Sequence, residues 1–379
     1  MRKLLLVGHL FSHGGYGAHS RDITLALLNS KKFLLSAVAA QGTGPRLSQL
    51  SPKLYTTLIN ICNRPYDKDG VCIQINVPSA FKKLCRINIG ITAGIEADKL
   101  PAGWRERCNQ LDALILVSKF EKTLFQRCGV YIPIYVVGEG VDTNIFNCRV
   151  KCKPDLKFSN EFNLLAAGEW LENDRKNFAR LVELFAKHFS GTGIGLVLKT
   201  HGKGFSEIDR QVISLKIKNI IGKRNCTVHL IYKEYSDDEM AQLYRHPQIK
   251  GFVTITSGEA WGRMTAEAIA CNLPVLATNW GGHLEYMDKK YSILFNCRLV
   301  RISPPKIWPW TDIYDPSMRW AEVDERDFVL KIKKFVSNYN YYKQKADEYG
   351  TIFRRKWNKK NTDRLLLRTI ERILENCKA

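Results

Sequence analysis

The stretch TSGEAWGRMTAEA, residues 256–268, places two carboxylates, Glu259 and Glu267, on either side of a Trp-Gly-Arg interruption. Carboxylates at such positions accept hydrogen bonds from paired hydroxyls, as in a sugar or a ribose. The run before them, GFVTIT, reads as a strand, and MTAEAIAC has helical composition, so the spacing predicts a helix starting near Gly262. Glu259 then sits in the loop, and Glu267 about a turn and a half into the helix, roughly 7 Å along its axis. Backbone N–H groups of Trp261, Gly262, Arg263 and Met264 would face an anion at that helix start. Two glutamates at this spacing are a weak signal alone, since an exposed helical glutamate ordinarily serves solubility. The placement between a buried strand and an Ala- and Cys-rich helix is what raises it. A second candidate is EWLENDRKNF, which brings Arg175 and Lys176 to a helix start and suits a diphosphate, although adjacent basic residues there are commonly solvated. A third is HGGYGAH (13–19), where Gly14, Gly15 and Gly17 either admit a ligand to the backbone or form a plain tight turn; the loop does not match GxGxxG.

Short apolar runs alternating with amphipathic segments must position these residues, a pattern that predicts parallel sheets covered by helices. KLLLVG (3–8), FLLSAVAA (33–40), GVCIQIN (70–76), INIGITA (87–93), ALILVS (113–118) and IYVVG (134–138) form a first group of strands. A polar, proline-containing stretch at 147–160 reads as a linker. FNLLAAG (162–168), IGLVLKT (194–200), TVHLIY (227–232), GFVTIT (251–256) and PVLAT (274–278) form a second group. SDDE at 236–239 is a capping-box pattern opening a crossover helix. From 297 to 322 the pattern dissolves into Pro- and Trp-rich chain, and helical periodicity returns at Phe328. All three candidate sites fall after strand ends, where open parallel sheets bind ligands.

The 379 residues suit two domains, and 45% hydrophobic with 25% charged residues describes a globular chain. Lys and Arg exceed Asp and Glu by 58 to 37, a formal charge of +21 that favours anionic partners without choosing among them. The densest run, RRKWNKK (354–360), reads as a solvated basic helix face, with peripheral contact to an anionic membrane or to nucleic acid as the alternative. The eleven cysteines lack metal-site spacing; the nearest pair, Cys148 and Cys152, has no matching second pair. Free thiols and a cytoplasmic location are the expectation. MRKLLLVGHLF reads as a first strand rather than a signal peptide, and no stretch has the roughly 20 apolar residues of a membrane span.

SGEAWGRMTAEAIACNLPVLATNWGGHLEYM resembles the donor-binding signature of retaining nucleotide-sugar glycosyltransferases of family four, the glycosyl transferases group 1. LVSKFEKTLFQRCGV with IYVVGEGVDTNIF, AAGEWLENDRKNFARLVELFAKHF, TAGIEADKLPAGW and RWAEVD are similar to other segments of that family, in order along nearly the whole chain. The resemblance implies an α/β GT-B architecture of two Rossmann-like domains facing an interdomain cleft. On that basis residues 1–150 form the acceptor domain, 151–355 the nucleotide-sugar domain, and 356–379 a helix crossing back to the first. It further implies transfer with retention and without metal, from a nucleotide sugar to a glycan, lipid or protein acceptor. Carried over, Glu259 would contact the donor sugar, Glu267 the ribose and Lys176 the diphosphate. Two departures stand out: Glu169 occupies the place of a common arginine, for which Arg175 would substitute, and Glu96 that of a common histidine near the sugar. Glu96 would either accept a sugar hydroxyl in a catalytic role or face solvent.

Competing readings are weaker. The triplet Asp67–Asp69 hints at a metal-binding acidic pair but sits in a turn-like RPYDKDGVC. An NAD-type Rossmann oxidoreductase lacks its glycine fingerprint. A nucleic-acid-binding protein accounts for the charge but leaves the strand-end residues without a purpose, so no nucleic acid is expected.

Overall fold

The computed structural model describes residues 2–12, 14–40, 50–150, 156–202, 205–307 and 310–377. Part of the linker at 147–160, Cys152 and part of the run around 308–309 lie outside the described residues. The chain divides into two compact units, one of residues 1–95, 99–140 and 359–379, the other of residues 96–98 and 141–358.

The first unit is a six-stranded parallel sheet of β1 (Arg2–Gly8), β2 (Phe33–Ala39), β3 (Val71–Ile75), β4 (Ile87–Thr92), β5 (Ala113–Leu116) and β6 (Ile134–Val136), in the order β2-β1-β3-β4-β5-β6. Every residue of β3, β4 and β5 is buried, as strands covered on both faces require. Helix Lys359–Asn376 joins this core through Leu366, Ile370, Ile373 and Leu374, packed with Ile23 and Leu27 of helix Gly15–Ser30. Each such side chain removed from water contributes about 1.5–3 kcal/mol, which fixes that helix to this unit.

The second unit repeats the scheme with β7 (Phe162–Glu169), β8 (Ile194–His201), β9 (Val228–Ile231), β10 (Ile249–Thr254), β11 (Val275–Thr278) and β12 (Ile293–Phe295). Their order is β12-β11-β10-β7-β8-β9, all parallel. Counted from β7, this is the dinucleotide-binding order, in which the chain starts at the centre, moves outward on one side and returns to fill the other. Leu164, Phe185, Leu198, Val253, Phe295, Phe328 and Phe335 lie in its core. Ser236 caps helix Asp237–Tyr244 in a full capping box with Glu239.

The region read as irregular, 297–322, contains an antiparallel hairpin of β13 (Cys297–Arg301) and β14 (Arg319–Val323). Sequence reasoning missed it for two physical reasons. β13 exposes Arg298, Leu299 and Arg301, so it lacks an apolar run, and residues 302–318 between the strands carry no tight-turn signal.

Candidate active site

In a sheet of this order the loops leaving β7 and β10 diverge, and the carboxyl ends of the two central strands form the ligand crevice. The turn after β7 is built around two non-glycine residues in the left-handed region, Asp174 (φ 41°) and Asn177 (φ 57°). The Asp174 carboxylate accepts the backbone N–H groups of Phe178 (2.8 Å) and Ala179 (3.0 Å), capping helix Phe178–His188. Burial nonetheless pushes its pKa up to about 6, against those two bonds. Asn177 donates to the Ile255 carbonyl (2.9 Å) and to Ser257 Oγ (2.8 Å), and Ser257 N donates to the Arg175 carbonyl (2.8 Å). The turns after β7 and β10 are thereby locked together, with Arg175 and Lys176 projecting between the locked ends.

Four of the sequence-predicted residues converge there. Lys176 Nζ donates to Glu259 Oε1, and Arg175 lies 3.8 Å from the same oxygen. Arg175 also donates to the Gly258 carbonyl and stands 3.4 Å from Glu96 Oε1. Glu96 therefore faces Arg175, while its other oxygen accepts the Tyr314 hydroxyl at 2.8 Å. Glu259 is only 8% exposed. Burial works to raise its pKa, but Lys176 and Arg175 outweigh it and hold the carboxyl below its ordinary value. Burial likewise works to deprotonate Arg175, and Glu96 and Glu259 more than compensate, raising its pKa. Exposed Glu169 adds a weaker attraction to the same guanidinium. Glu259 and Arg175 are thus each held in the charged form.

Helix Arg263–Ala270 starts where the sequence placed it, with Gly262 (φ 85°) as its N-cap. The N-cap glycine has no side chain to offer its first turn, and the ladder begins at Ala266 N to Gly262 O. The indole of Trp261 is buried against Tyr286 and Trp357, ring centroids 4.9 and 5.1 Å away, which leaves its backbone as its contribution to the crevice. Glu267 accepts the buried Tyr244 hydroxyl at 3.2 Å through one of its oxygens. Gly14 and Gly15 belong to the first unit, at the start of its first helix, and a Cβ at either would meet nothing within 4 Å. The glycine that this loop needs is Gly17, whose Cβ would strike the Ser12 carbonyl at 2.0 Å.

Sequence reasoning missed the hairpin's part in this site. Asp98 N donates to the Arg319 carbonyl (2.9 Å), and the Asp98 carboxylate accepts the Arg319 backbone N–H (2.6 Å) and its Nε (2.8 Å), holding residues 96–98 against β14. Ala321 N donates to the Ser257 carbonyl (2.9 Å), and Lys306 Nζ to Asn177 Oδ1 (2.9 Å). Tyr314, 5% exposed, completes the set. The Asp67–Asp69 triplet is a turn in which Asp69 N donates to Asp67 Oδ1 at 3.0 Å, and among the described residues no cluster of His, Cys, Asp or Glu is arranged for a metal. No described helix is long and apolar enough to cross a membrane.

Residues 160–297 match the family model for glycosyl transferases group 1. A probable sucrose-phosphate synthase of Thermosipho melanesiensis is 32% identical over 166 residues, 42% of this chain and 36% of that protein, so the match spans little more than a third of the relative. Among solved structures, the sucrose-phosphate synthase of Thermosynechococcus elongatus superposes with a TM-score of 0.68 at 13% identity, covering 99% of this chain and 100% of that one. The Anabaena HepE protein in complex with UDP and glucose gives 0.66 at 15% identity, covering 98% and 100%. A glycosyltransferase of Rickettsia africae gives 0.66 at 14% identity, covering 99% of each chain. The chain has the GT-B fold, and the stretch of its second unit that matches the glycosyl transferases group 1 model contains Arg175, Lys176, Glu259 and Glu267.

Proposed function

We propose that this chain is a glycosyltransferase that moves a sugar from a nucleotide-diphosphate donor to an acceptor hydroxyl, with retention of anomeric configuration and without a metal. The observation that carries the reading is the convergence of Lys176, Arg175, Glu259 and Glu96 at the carboxyl ends of β7 and β10. The matching family model and the donor-type ligands of the Anabaena protein, UDP and UDP-glucose, support it.

The chemistry divides by charge. Glycosyl transfer passes through an oxocarbenium-like state, in which positive charge grows on the sugar while the departing diphosphate becomes more negative. Lys176, Arg175 and the positive end of the helix that starts at Gly262 stabilise the leaving diphosphate, the work a metal does elsewhere. Glu259 accepts hydroxyls of the donor sugar, Glu96 faces the reacting carbon from the other side of Arg175, and Glu267 takes the ribose diol in exchange for the Tyr244 hydroxyl.

The test is a donor screen read as slow hydrolysis without acceptor, preceded by thermal shift with nucleoside diphosphates. One base should stabilise the protein, and the matching nucleotide sugar should be hydrolysed in the presence of a chelator. Stabilisation by NAD alone, or tight salt-sensitive DNA binding without any nucleotide response, overturns the reading.

A further inference from the structure

Outside the ion cluster, the second unit holds a lysine in costly surroundings. Lys199 lies near the carboxyl end of β8, paired with Ala167 of β7 and Ile231 of β9, one strand from the diphosphate turn. The neighbouring pair fixes that proximity: Thr200 Oγ1 donates to the Gly168 carbonyl (2.7 Å), and a Cβ on Gly168 would sit 3.3 Å from the Lys176 side chain. Lys199 is 7% exposed, and its ammonium stands 5.3 Å from the ring centroids of both Phe205 and Tyr235. Among the described residues it makes no hydrogen bond or ion pair. Phe205, Tyr232 and Tyr235 are each partly exposed, so the cluster opens to solvent at the ligand end of the sheet.

A buried cation without an acceptor is expensive unless a ligand supplies one. Burial drives its pKa down to about 8, with Glu234 and Glu239 opposing the shift. Lys233 shares the Tyr235 ring and is tied to Glu239 at 3.2 Å; His201 and Tyr232 lie against Phe205 and complete the titratable surroundings.

We propose that Lys199 selects the donor's nucleobase, taking a base with a carbonyl oxygen at pyrimidine C4 or purine C6, such as uracil, thymine or guanine, against the Phe205–Tyr235 surface. The inference rests on the nucleotide-sugar reading of this site. An ammonium only donates hydrogen bonds, so an oxo group at the recognised position satisfies it, whereas the amino group of cytosine or adenine meets it donor to donor. A base stacked on partly exposed aromatic rings also completes the burial of the cation.

Binding of UDP against CDP, and of GDP against ADP, tests this in the wild-type protein and in Lys199→Met, which keeps the length of the stem and removes the charge. The preferred oxo base should bind about tenfold or more tighter than its amino counterpart in the wild type, and the ratio should fall towards one in the variant. In the unaltered protein the same ratio should decline as pH rises through about 8, which makes the outcome independent of how the variant folds. A ratio that survives Lys199→Met, or a wild-type preference for the amino base, overturns the proposal and leaves the donor-site reading intact. Failure of every nucleoside diphosphate to bind the folded wild type removes that reading, and this inference with it.

Discussion

Replacing Lys176 by Ala separates the two tasks assigned to its ammonium. In the free protein it neutralises Glu259, a carboxylate only 8% exposed. Removing one partner of a buried ion pair costs about 3–5 kcal/mol, and the lower end applies because Arg175 remains 3.8 Å from the same oxygen. The loss depends on pH in a defined direction. Glu259 is held below its ordinary value of 4.5, so its contribution is present above that value and fades as pH falls through the lowered one. The stability gap between wild type and variant should therefore narrow below pH 4.5. For the ligand, a charge-assisted hydrogen bond is worth about 1.5–3 kcal/mol, or roughly 10- to 150-fold in nucleoside diphosphate affinity. Turnover should fall further, by about 100- to 1000-fold, because negative charge grows on the diphosphate as the glycosidic bond breaks. Denaturant melts on either side of pH 4.5, calorimetric titration with the nucleoside and its diphosphate, and donor hydrolysis rates read the three quantities. The reasoning is refuted if affinity for the uncharged nucleoside drops in parallel with that for the diphosphate, or if turnover is unchanged.

Lys199→Met should raise stability at neutral pH by up to about 3 kcal/mol, from 1.36 kcal/mol per unit of pKa between 10.5 and about 8. The unfolded chain binds the extra proton between those values, so wild-type stability rises with pH across that window and the variant's advantage disappears by its upper end; urea melts at neutral and high pH check this. Tyr314→Phe removes a 2.8 Å donor to the Glu96 carboxylate and should cost about 1.5 kcal/mol or more, lowering turnover while leaving nucleoside diphosphate affinity unchanged; a loss of affinity instead would assign Tyr314 to the nucleotide. Gly281→Ala forces a side chain onto a backbone at φ 121° and a Cβ 3.0 Å from the Glu259 carbonyl, which should destabilise by about 1–3 kcal/mol and depress hydrolysis of the donor. Gly15→Ala, in open space at a helix start, should leave the melting temperature unchanged or slightly higher, so that a fall in activity alone would mark Gly15 as a ligand contact.

What the sequence disclosed follows from how local the determining forces are. Strands buried on both faces are mostly apolar, so β3, β4 and β7 are written as apolar runs, broken where Gln74, Asn88 and Asn163 find hydrogen-bond partners inside and at the strand ends. The Ser236 capping box and the glycine N-cap at Gly262 are contests among a few neighbouring backbone groups, and both are readable from four or five letters. The partners of Glu96 are a different matter. Tyr314 is distant in the chain and lies in a region without strand periodicity, so the contacts of Glu96 with Arg175 and Tyr314 become visible only in three dimensions. Lys199 was equally opaque: in IGLVLKT it looks like the polar end of a strand, and nothing local says that two aromatic rings close over it. At the first glycine loop the letters offered Gly14, Gly15 and Gly17 alike, and that the steric demand falls on Gly17 depends on where the Ser12 carbonyl turns.

The charge of the whole chain and the charge of the site work at different ranges. A formal +21 draws anions from a distance, screened over about 10 Å at ordinary ionic strength. At the crevice the field is balanced: Arg175 and Lys176 are matched by Glu96 and Glu259, and Glu169 tilts the sum towards negative. A diphosphate arriving there gains little from net charge and must instead take over bonds that the acids already hold. On the proposed reading this exchange is useful. Each cation turned towards phosphate releases a carboxylate oxygen for a sugar hydroxyl, so that grip on the sugar strengthens only when the diphosphate is seated. The buried Lys199 follows the same logic one strand away, since its charge is tolerated at a cost in stability that a base carbonyl offsets.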